Sequence, residues 1–273
     1  GATLEDAGDA ESAVAPQPGR AAEVAPFPTG GAVNVASGLL GPLKWERLLF
    51  LVAGQSLVGV AGLGLAWGLH GAPELALGPG FFEGGVGGDG ALAILALGAL
   101  ASLPMLALIA AGEVFNLDER FPALAAVTEA TKRTTLMALG KDFKPLAAGV
   151  GALLIALAAG TGEEVLFRGV MQEEIGARVG GPAGVAVASV VFGLLHAVTP
   201  VYALLATVAG AYFGWLYAAC GHSVAVPAVA HAVYDWIALL LVHYEVTKGG
   251  VPAGGPEREA AQRVVLGEKG PGE

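Results

Sequence analysis

Two adjacent carboxylates and an arginine stand where the sequence is otherwise almost uncharged. The octet GEEVLFRG holds Glu163, Glu164 and Arg168, and it follows the apolar run 145–160. On a helix, residues four apart share a face, so Glu164 and Arg168 can form an ion pair. Glu163 then points about 100° away from that pair and is free to face another element.

Polar residues also interrupt two later apolar stretches. His196 ends FGLLH, and His231 and Asp235 lie on one helical face in HAVYD. Each charged side chain at the centre of a bilayer costs about 2.5–3.5 kcal/mol on the translocon scale, so such residues usually face the interior of a helix bundle. We expect the three groups to meet in one polar cavity. Glutamate and histidine together can activate water as a general base or hold a zinc ion.

Taken alone, each of these polar groups could also be a solvated charge at the membrane edge or a structural histidine. We interpret the other polar residues near the apolar stretches in this way, and they are predicted to lie at the membrane surface. They are Glu173, Glu174 and Arg178 after the octet, and His70, His222 and His243 at the ends of apolar stretches or in a turn.

The composition indicates a membrane protein. The chain has 273 residues, of which 55% are hydrophobic and 14% charged, and its mean hydropathy is +0.66. Soluble domains carry about 25% charged residues. The net charge of −10 without a basic stripe argues against a nucleic-acid partner. The single cysteine, Cys220, excludes an intramolecular disulfide.

Six apolar stretches are close to the length that a membrane helix needs. About 20 helical residues cross a hydrocarbon core of roughly 30 Å. The sequence therefore predicts an all-α, polytopic membrane helix bundle of about six transmembrane helices around a polar intramembrane cavity. The stretches are Leu48–Leu69, Ala91–Gly112, the stretch that begins at Pro145 and includes the octet, Gly181–Val198, Val201–Cys220 and Val224–Val242.

Tails of different composition flank this membrane domain, which is predicted to span residues 44–245. Residues 1–43 are rich in Ala, Gly and Pro and are predicted to be a disordered tail without a signal peptide. Residues 246–273 are predicted to be flexible, with one short helix near 256–266.

Basic residues concentrate in the segment 113–144, whereas the loop 70–90 has no Lys or Arg. The positive-inside rule then places the N-terminus and the segment 113–144 in the cytoplasm. This segment is interpreted as a helix lying on the membrane surface, with a plain connecting loop as the alternative.

The three polar groups together resemble the CPBP family, the CAAX proteases and bacteriocin-processing enzymes that are also called the Abi family. The resemblance rests on E-E-x-x-x-R at 163–168, F-x-x-x-H at 192–196 and H-x-x-x-D at 231–235, each on a separate apolar helix. It covers about residues 145–242. It implies an intramembrane endopeptidase whose helical core surrounds a conical cavity.

The resemblance also implies a role for each site residue. Glu163 would be the general base that activates water, and His196 would hold or polarise that water. Glu164 and Arg168 would form a supporting ion pair.

His231 and Asp235 would, by the same resemblance, position the substrate carbonyl and stabilise the oxyanion. Asp235 stands where the eukaryotic CAAX enzymes usually carry Asn, and an ionised Asp cannot donate a hydrogen bond. Glu163, His196 and His231 are also a plausible zinc set with water as the fourth ligand. A metal-free glutamate mechanism fits the same residues, and we favour no tightly bound metal.

Other functions stay open at this point. A non-proteolytic bacteriocin immunity or membrane scaffold protein is one, and a proton-coupled transporter is another. The absence of H-E-x-x-H and G-x-S-x-G argues against a site-2-type zinc protease and a serine protease. The expected partners are the lipid bilayer and a membrane-associated peptide, either prenylated or a leader peptide. The expected location is a bacterial inner membrane.

Overall fold

The computed structural model describes residues 45–72, 76–78, 89–248 and 262–267. The predicted N-terminal tail and most of the predicted C-terminal tail lie outside these residues. The short helix predicted near 256–266 is described only from Gln262, and residues 262–266 are helical. The predicted domain boundaries stay a prediction.

The described part of the chain is helical and contains no strand, so the predicted all-α membrane bundle is confirmed. The elements, in chain order, are α1 Trp45–His70, α2 Asp89–Val114, α3 Leu117–Arg120, α4 Pro122–Leu139, α5 Pro145–Glu164, the π-helical segment Val165–Gln172, α6 Glu173–Val179, α7 Gly181–Leu195, α8 Pro200–Ala219 and α9 Ala225–Lys248.

Five of these helices are long and apolar enough to cross a membrane. They are α1, α2, α8, α9 and the continuous helix from Pro145 to Val179, which includes the π-helical segment. The sixth predicted span, Gly181–Val198, is a shorter helix of 15 residues that ends at Leu195. At 1.5 Å per residue it is about 22 Å long, less than the hydrocarbon thickness of roughly 30 Å. The predicted length was wrong because the chain turns at 196–199 before α8 begins at Pro200.

Glycines bring α5 close to the two helices on either side of it. A Cβ on Gly162 would lie 2.5 Å from the carbonyl oxygen of Gln55 on α1. A Cβ on Gly160 would lie 2.8 Å from the backbone nitrogen of Ala232 on α9. Small residues of this kind let membrane helices approach backbone to backbone. The end of α5 is therefore held between α1 and α9, directly before Glu163.

The segment 113–144 forms two helices instead of the single surface helix that the sequence predicted. The break falls at Phe121, which has an extended backbone, and Pro122 begins α4. The last turn of α4 is buried, and Lys132 pairs with Glu245 of α9 at 2.8 Å. The segment therefore packs against α9 through α4, and its position relative to the membrane stays a prediction.

His243, which was predicted to lie at the membrane surface, is buried by the chain itself, and its depth relative to the membrane stays a prediction. Its ring has no solvent exposure, and its Nε2 lies 2.9 Å from the carbonyl oxygen of Gly140 in the loop between α4 and α5. Phe143 of the same loop packs on the ring. The loop folds over this end of α9, a tertiary contact that the sequence pattern does not show.

Candidate active site

The helix that carries the two glutamates widens directly after them. Residues Val165–Gln172 are π-helical, and this segment follows α5 without a break. In a π-helix the backbone hydrogen bonds reach five residues back, and such segments are frequent at functional sites. Gly169 in this segment lies against the carbonyl oxygen of Ala76, at a distance that leaves no room for a Cβ. Arg168 is thus carried on a widened turn that is packed from outside by residues 76–78.

Glu164 is the centre of a buried charged network. Its Oε2 lies 3.1 Å from Nε of Arg168, and its Oε1 lies 3.0 Å from Nδ1 of His231. The side chains of Glu164 and Arg168 have no solvent exposure. The carboxylate therefore joins the helix of the octet to α9.

Aromatic rings surround the guanidinium group of Arg168. Its Cζ lies 5.1 Å from the ring centroid of Phe192 on α7 and 5.9 Å from that of Phe167. Cations over aromatic faces within about 6 Å are stabilised electrostatically, and more so away from water. Phe192 therefore links the buried arginine to the helix that ends at His196.

Glu163 points away from this network and toward His196. Its Oε2 lies 3.7 Å from Nε2 of His196. The other ring nitrogen, Nδ1, lies 2.7 Å from the carbonyl oxygen of Phe192. A carbonyl oxygen only accepts hydrogen bonds, so Nδ1 carries a hydrogen and Nε2 of a neutral ring is left with its lone pair facing Glu163.

His231 faces a carboxylate from each of its ring nitrogens. Besides the contact of Nδ1 with Glu164, its Nε2 lies 3.5 Å from Oδ2 of Asp235 on the next turn of α9. The ring of Phe213 on α8 stacks on the imidazole, with centroids 4.7 Å apart and planes 14° apart. These contacts on three sides fix the orientation of the ring.

Solvent reaches the cluster from one side only among the residues described. The side chains of His196 and Asp235 are 30% and 27% exposed, whereas that of Glu163 is 7% exposed. Glu164 and Arg168 are fully buried behind them. A substrate would therefore reach Glu163 from the side of His196 and Asp235.

The structure brings all six predicted site residues into this one cluster, from α5, the π-helical segment, α7 and α9. Glu173 and Glu174 lie outside it, where they contact His222 and His70. Sequence reasoning missed Phe213, which stacks on His231. An aromatic residue inside an apolar span is no signal of a site, and only the packing of α8 against α9 shows its position.

The candidate zinc ligands do not form a three-ligand set as they are placed. Across the described ranges, no three His, Cys, Asp or Glu side chains are grouped so that they could hold a metal. His231 turns one nitrogen to Glu164 and the other to Asp235, so neither faces the space between Glu163 and His196. The donor set therefore does not fit the tetrahedral geometry that zinc requires.

The cluster lies deep within the bundle. Gly162, next to Glu163, packs against Gly59, which is about 16 Å along α1 from its end at His70. Ionisable side chains at this depth in a bundle of apolar helices usually mark a functional site.

Comparison with known families agrees with a functional site here. Residues 145–237 match the family "Type II CAAX prenyl endopeptidase Rce1-like", and all six residues of the cluster fall within the match. The resemblance predicted from the three motifs is thus confirmed by a family match over the segment from α5 to α9, and the chain is an integral membrane protein. No curated protein and no solved structure matches the chain.

Proposed function

We propose that the protein is an intramembrane endopeptidase that hydrolyses a peptide bond of a membrane-associated peptide, with Glu163 as the general base. One observation carries this proposal. Glu163 and the free nitrogen of His196 face each other at 3.7 Å on the accessible side of the cluster, while a separate carboxylate, Glu164, forms the buried ion pair. The two adjacent glutamates thus have different surroundings and different tasks.

The separation of 3.7 Å is too long for a direct hydrogen bond but suits a shared water molecule. A water lying beside the line between the two groups can donate one hydrogen to Glu163 and the other to Nε2 of His196. Its oxygen lone pair then points away from both acceptors. This orientation supports attack on a carbonyl carbon that enters from the side of Asp235.

The reaction proceeds in two steps that share one proton. In the first step the water oxygen bonds to the carbonyl carbon, the carbonyl electron pair moves onto oxygen, and Glu163 accepts the proton that water loses. In the second step the oxyanion collapses, the carbon–nitrogen bond breaks, and Glu163 returns the proton to the amine. The glutamate is regenerated, and water and peptide are the only reactants consumed.

The remaining residues of the cluster act by position. Glu164 and Arg168 hold the end of α5 against α9 through the contact with His231. His231 and Asp235 border the space into which the substrate carbonyl would enter, and His231 contributes positive polarity near the developing oxyanion. No step in this proposal uses a metal ion.

The location of the site and the family match support a membrane-associated peptide as the substrate class. The family is named for CAAX prenyl endopeptidases, so a prenylated peptide with a C-terminal CAAX sequence is one candidate. A leader peptide or the tail of a membrane protein is the other. We further propose that the membrane is the bacterial cell membrane, which the composition rich in Ala, Gly and Val supports.

The test compares Glu163→Gln with the wild-type protein in proteoliposomes. The probe is an internally quenched, farnesylated CAAX peptide, and in parallel the membrane peptides of cells that express each protein are compared by mass spectrometry. Removing a general base lowers the rate by about 10²–10⁴-fold, so cleavage should be lost. Glu174→Gln is the matched control because it changes a glutamate on the same continuous helix that lies outside the cluster.

If Glu163→Gln cleaves the probe as fast as the wild-type protein does, Glu163 is not the general base. Identical peptide profiles, together with an uncleaved probe, would instead favour the non-proteolytic immunity or scaffold function. Loss of cleavage in both glutamate variants would point to a general effect on the fold. The proposal requires that only Glu163→Gln loses activity.

A further inference from the structure

Asp235 presents a carboxylate on the accessible side of the cluster. Its side chain is 27% exposed, whereas those of Glu164 and Arg168 have no solvent exposure. Its Oδ2 lies 3.5 Å from Nε2 of His231, which is longer than a usual hydrogen bond. Among the described residues, His231 is the only basic side chain within ion-pair distance of Asp235. This carboxylate can therefore interact with a substrate at the opening of the cluster.

Glu163 adds a second carboxylate beside the same opening. Its side chain is 7% exposed, and its Oε2 faces Nε2 of His196 at 3.7 Å. Within the part of the chain that the structure describes, this buried oxygen has no hydrogen-bond partner. Buried polar atoms of folded proteins are almost always hydrogen-bonded, so the atom points to a ligand. The water of the proposed reaction can supply the hydrogen bond, but water is neutral and leaves the negative charge uncompensated.

The helices around this opening contain almost no positive charge. α5, α7 and α8 have no Lys or Arg, and α9 has only Lys248, at its last position. That position is about 20 Å along the helix from Asp235. Arg168, on the π-helical segment, is fully buried and pairs with Glu164. The carboxylates of Glu163 and Asp235 thus have no Lys or Arg partner among the described residues.

The excess of carboxylates gives the opening a preference for charge of one sign. Opposite charges attract more strongly away from bulk water, and like charges placed side by side discriminate against the wrong partner. Consecutive residues of an extended peptide are about 3.3–3.6 Å apart, so a Lys or Arg within about two residues of the scissile bond can reach the opening. The same carboxylates disfavour a free C-terminal carboxylate close to that bond.

We propose that the site selects peptides with a Lys or Arg close to the scissile bond, and that Asp235 determines this preference. The inference rests on the proposed hydrolysis and narrows its substrate class to a cationic segment of a membrane-associated peptide. Asp235 forms an ion pair with the substrate cation, and this pair holds the peptide beside Glu163. A leader peptide or membrane-protein tail with a basic residue therefore fits the site better than a peptide that ends in a carboxylate near the bond.

The experiment compares peptides that differ in the charge of one residue. The parent is the quenched, farnesylated CAAX peptide, and Lys, Gln or Glu replaces in turn each residue that flanks the prenylated cysteine. The measured quantity is kcat/KM in proteoliposomes. We expect the wild-type protein to prefer Lys over Glu by about tenfold to hundredfold in at least one position, with Gln between them. Amidation of the C-terminus of the parent peptide should also raise its kcat/KM.

Three variants assign the preference to one carboxylate. Asp235→Asn keeps the shape of the side chain and removes its charge, so the ratio of Lys to Glu peptides should fall to within about threefold. Asp235→Glu keeps the charge and should keep the sign of the preference. Glu174→Gln removes a carboxylate outside the cluster and should keep the wild-type ratio. Each ratio is taken within one protein, so a lower overall rate of a variant does not affect it.

The failure of this inference differs from the failure of the proposed hydrolysis. Equal kcat/KM for the Lys and Glu peptides, or a preference that survives Asp235→Asn, would overturn the role of Asp235 and leave the hydrolysis intact. If Glu163→Gln cleaves the peptides as fast as the wild-type protein, or neither cleaves them, the proposed hydrolysis fails. The Kd values of the Lys and Glu peptides for Glu163→Gln and for Glu163→Gln/Asp235→Asn then still decide the charge preference, because binding requires no cleavage. Equal Kd values for the two peptides with Glu163→Gln would overturn it.

Discussion

The buried ion pair offers a quantitative test of the packing of the cluster. Glu164 pairs with two residues, Arg168 at 3.1 Å and His231 at 3.0 Å. Arg168 pairs with the carboxylate of Glu164. Replacing one partner of a buried pair costs about 3–5 kcal/mol because the other charge is left uncompensated. Both side chains are fully buried, so solvent does not screen their interaction.

The two single substitutions should therefore lower the free energy of unfolding by different amounts, and Glu164→Gln should lower it more than Arg168→Met. Glu164→Gln removes the countercharge of Arg168 and of His231 together, so its cost belongs near the upper end, about 5 kcal/mol. Arg168→Met leaves Glu164 with His231, so its cost belongs near the lower end, about 3 kcal/mol. The difference of about 2 kcal/mol corresponds to about 30-fold in the unfolding equilibrium. The double variant should cost clearly less than the sum, since it leaves no isolated charge.

The assay follows unfolding in detergent by the reaction of a thiol dye with Cys220. This residue is the only cysteine of the chain and is partly buried in the turn after α8. A denaturant titration of the four proteins completes the double-mutant cycle. The reasoning would be refuted if Arg168→Met destabilised the protein more than Glu164→Gln. It would also be refuted if the two single changes in the free energy of unfolding simply added up in the double variant.

Two further predictions concern helix packing and metal ions. Gly162→Ala should destabilise the protein by about 1–3 kcal/mol and reduce cleavage, because the new Cβ would lie 2.5 Å from the carbonyl oxygen of Gln55. Gly149→Ala on the same helix is the control, since its Cβ meets nothing within 4 Å, and equal unfolding curves for the two variants would contradict the packing argument. Prolonged dialysis against a chelator should leave the cleavage rate unchanged, because no step of the proposed reaction uses a metal. A loss that added zinc restores would contradict this.

Much of the cluster was predictable because charge is expensive in hydrocarbon. Glu163, Arg168 and His231 stand out in the sequence since their neighbours are apolar, and the spacing of four residues predicted the ion pair with Glu164. The same cost predicted that the groups would lie inside the bundle. Their catalytic roles stay predictions.

Other features depend on contacts between helices, which periodicity does not contain. The sequence predicted a full span at Gly181–Val198, but the helix ends at Leu195, and His196 follows it with its ring facing Glu163. His243 occupies the end of an apolar stretch, and the loop around Gly140 buries it. The π-helical turn after Glu164 also has no signal in the hydrophobic pattern.

The sequence by itself determined the membrane class, the ionisable residues and which of them share a helical face, because hydropathy and the helical repeat are local properties. Only the tertiary structure decided that Glu163 faces His196, that His231 lies between two carboxylates, and that Phe213 of α8 stacks on His231. Depth and rotation of one helix against another are set by backbone contacts such as Gly162 on α1 and Gly160 on α9. Such contacts join residues far apart in the chain, and they exist only once the helices have packed.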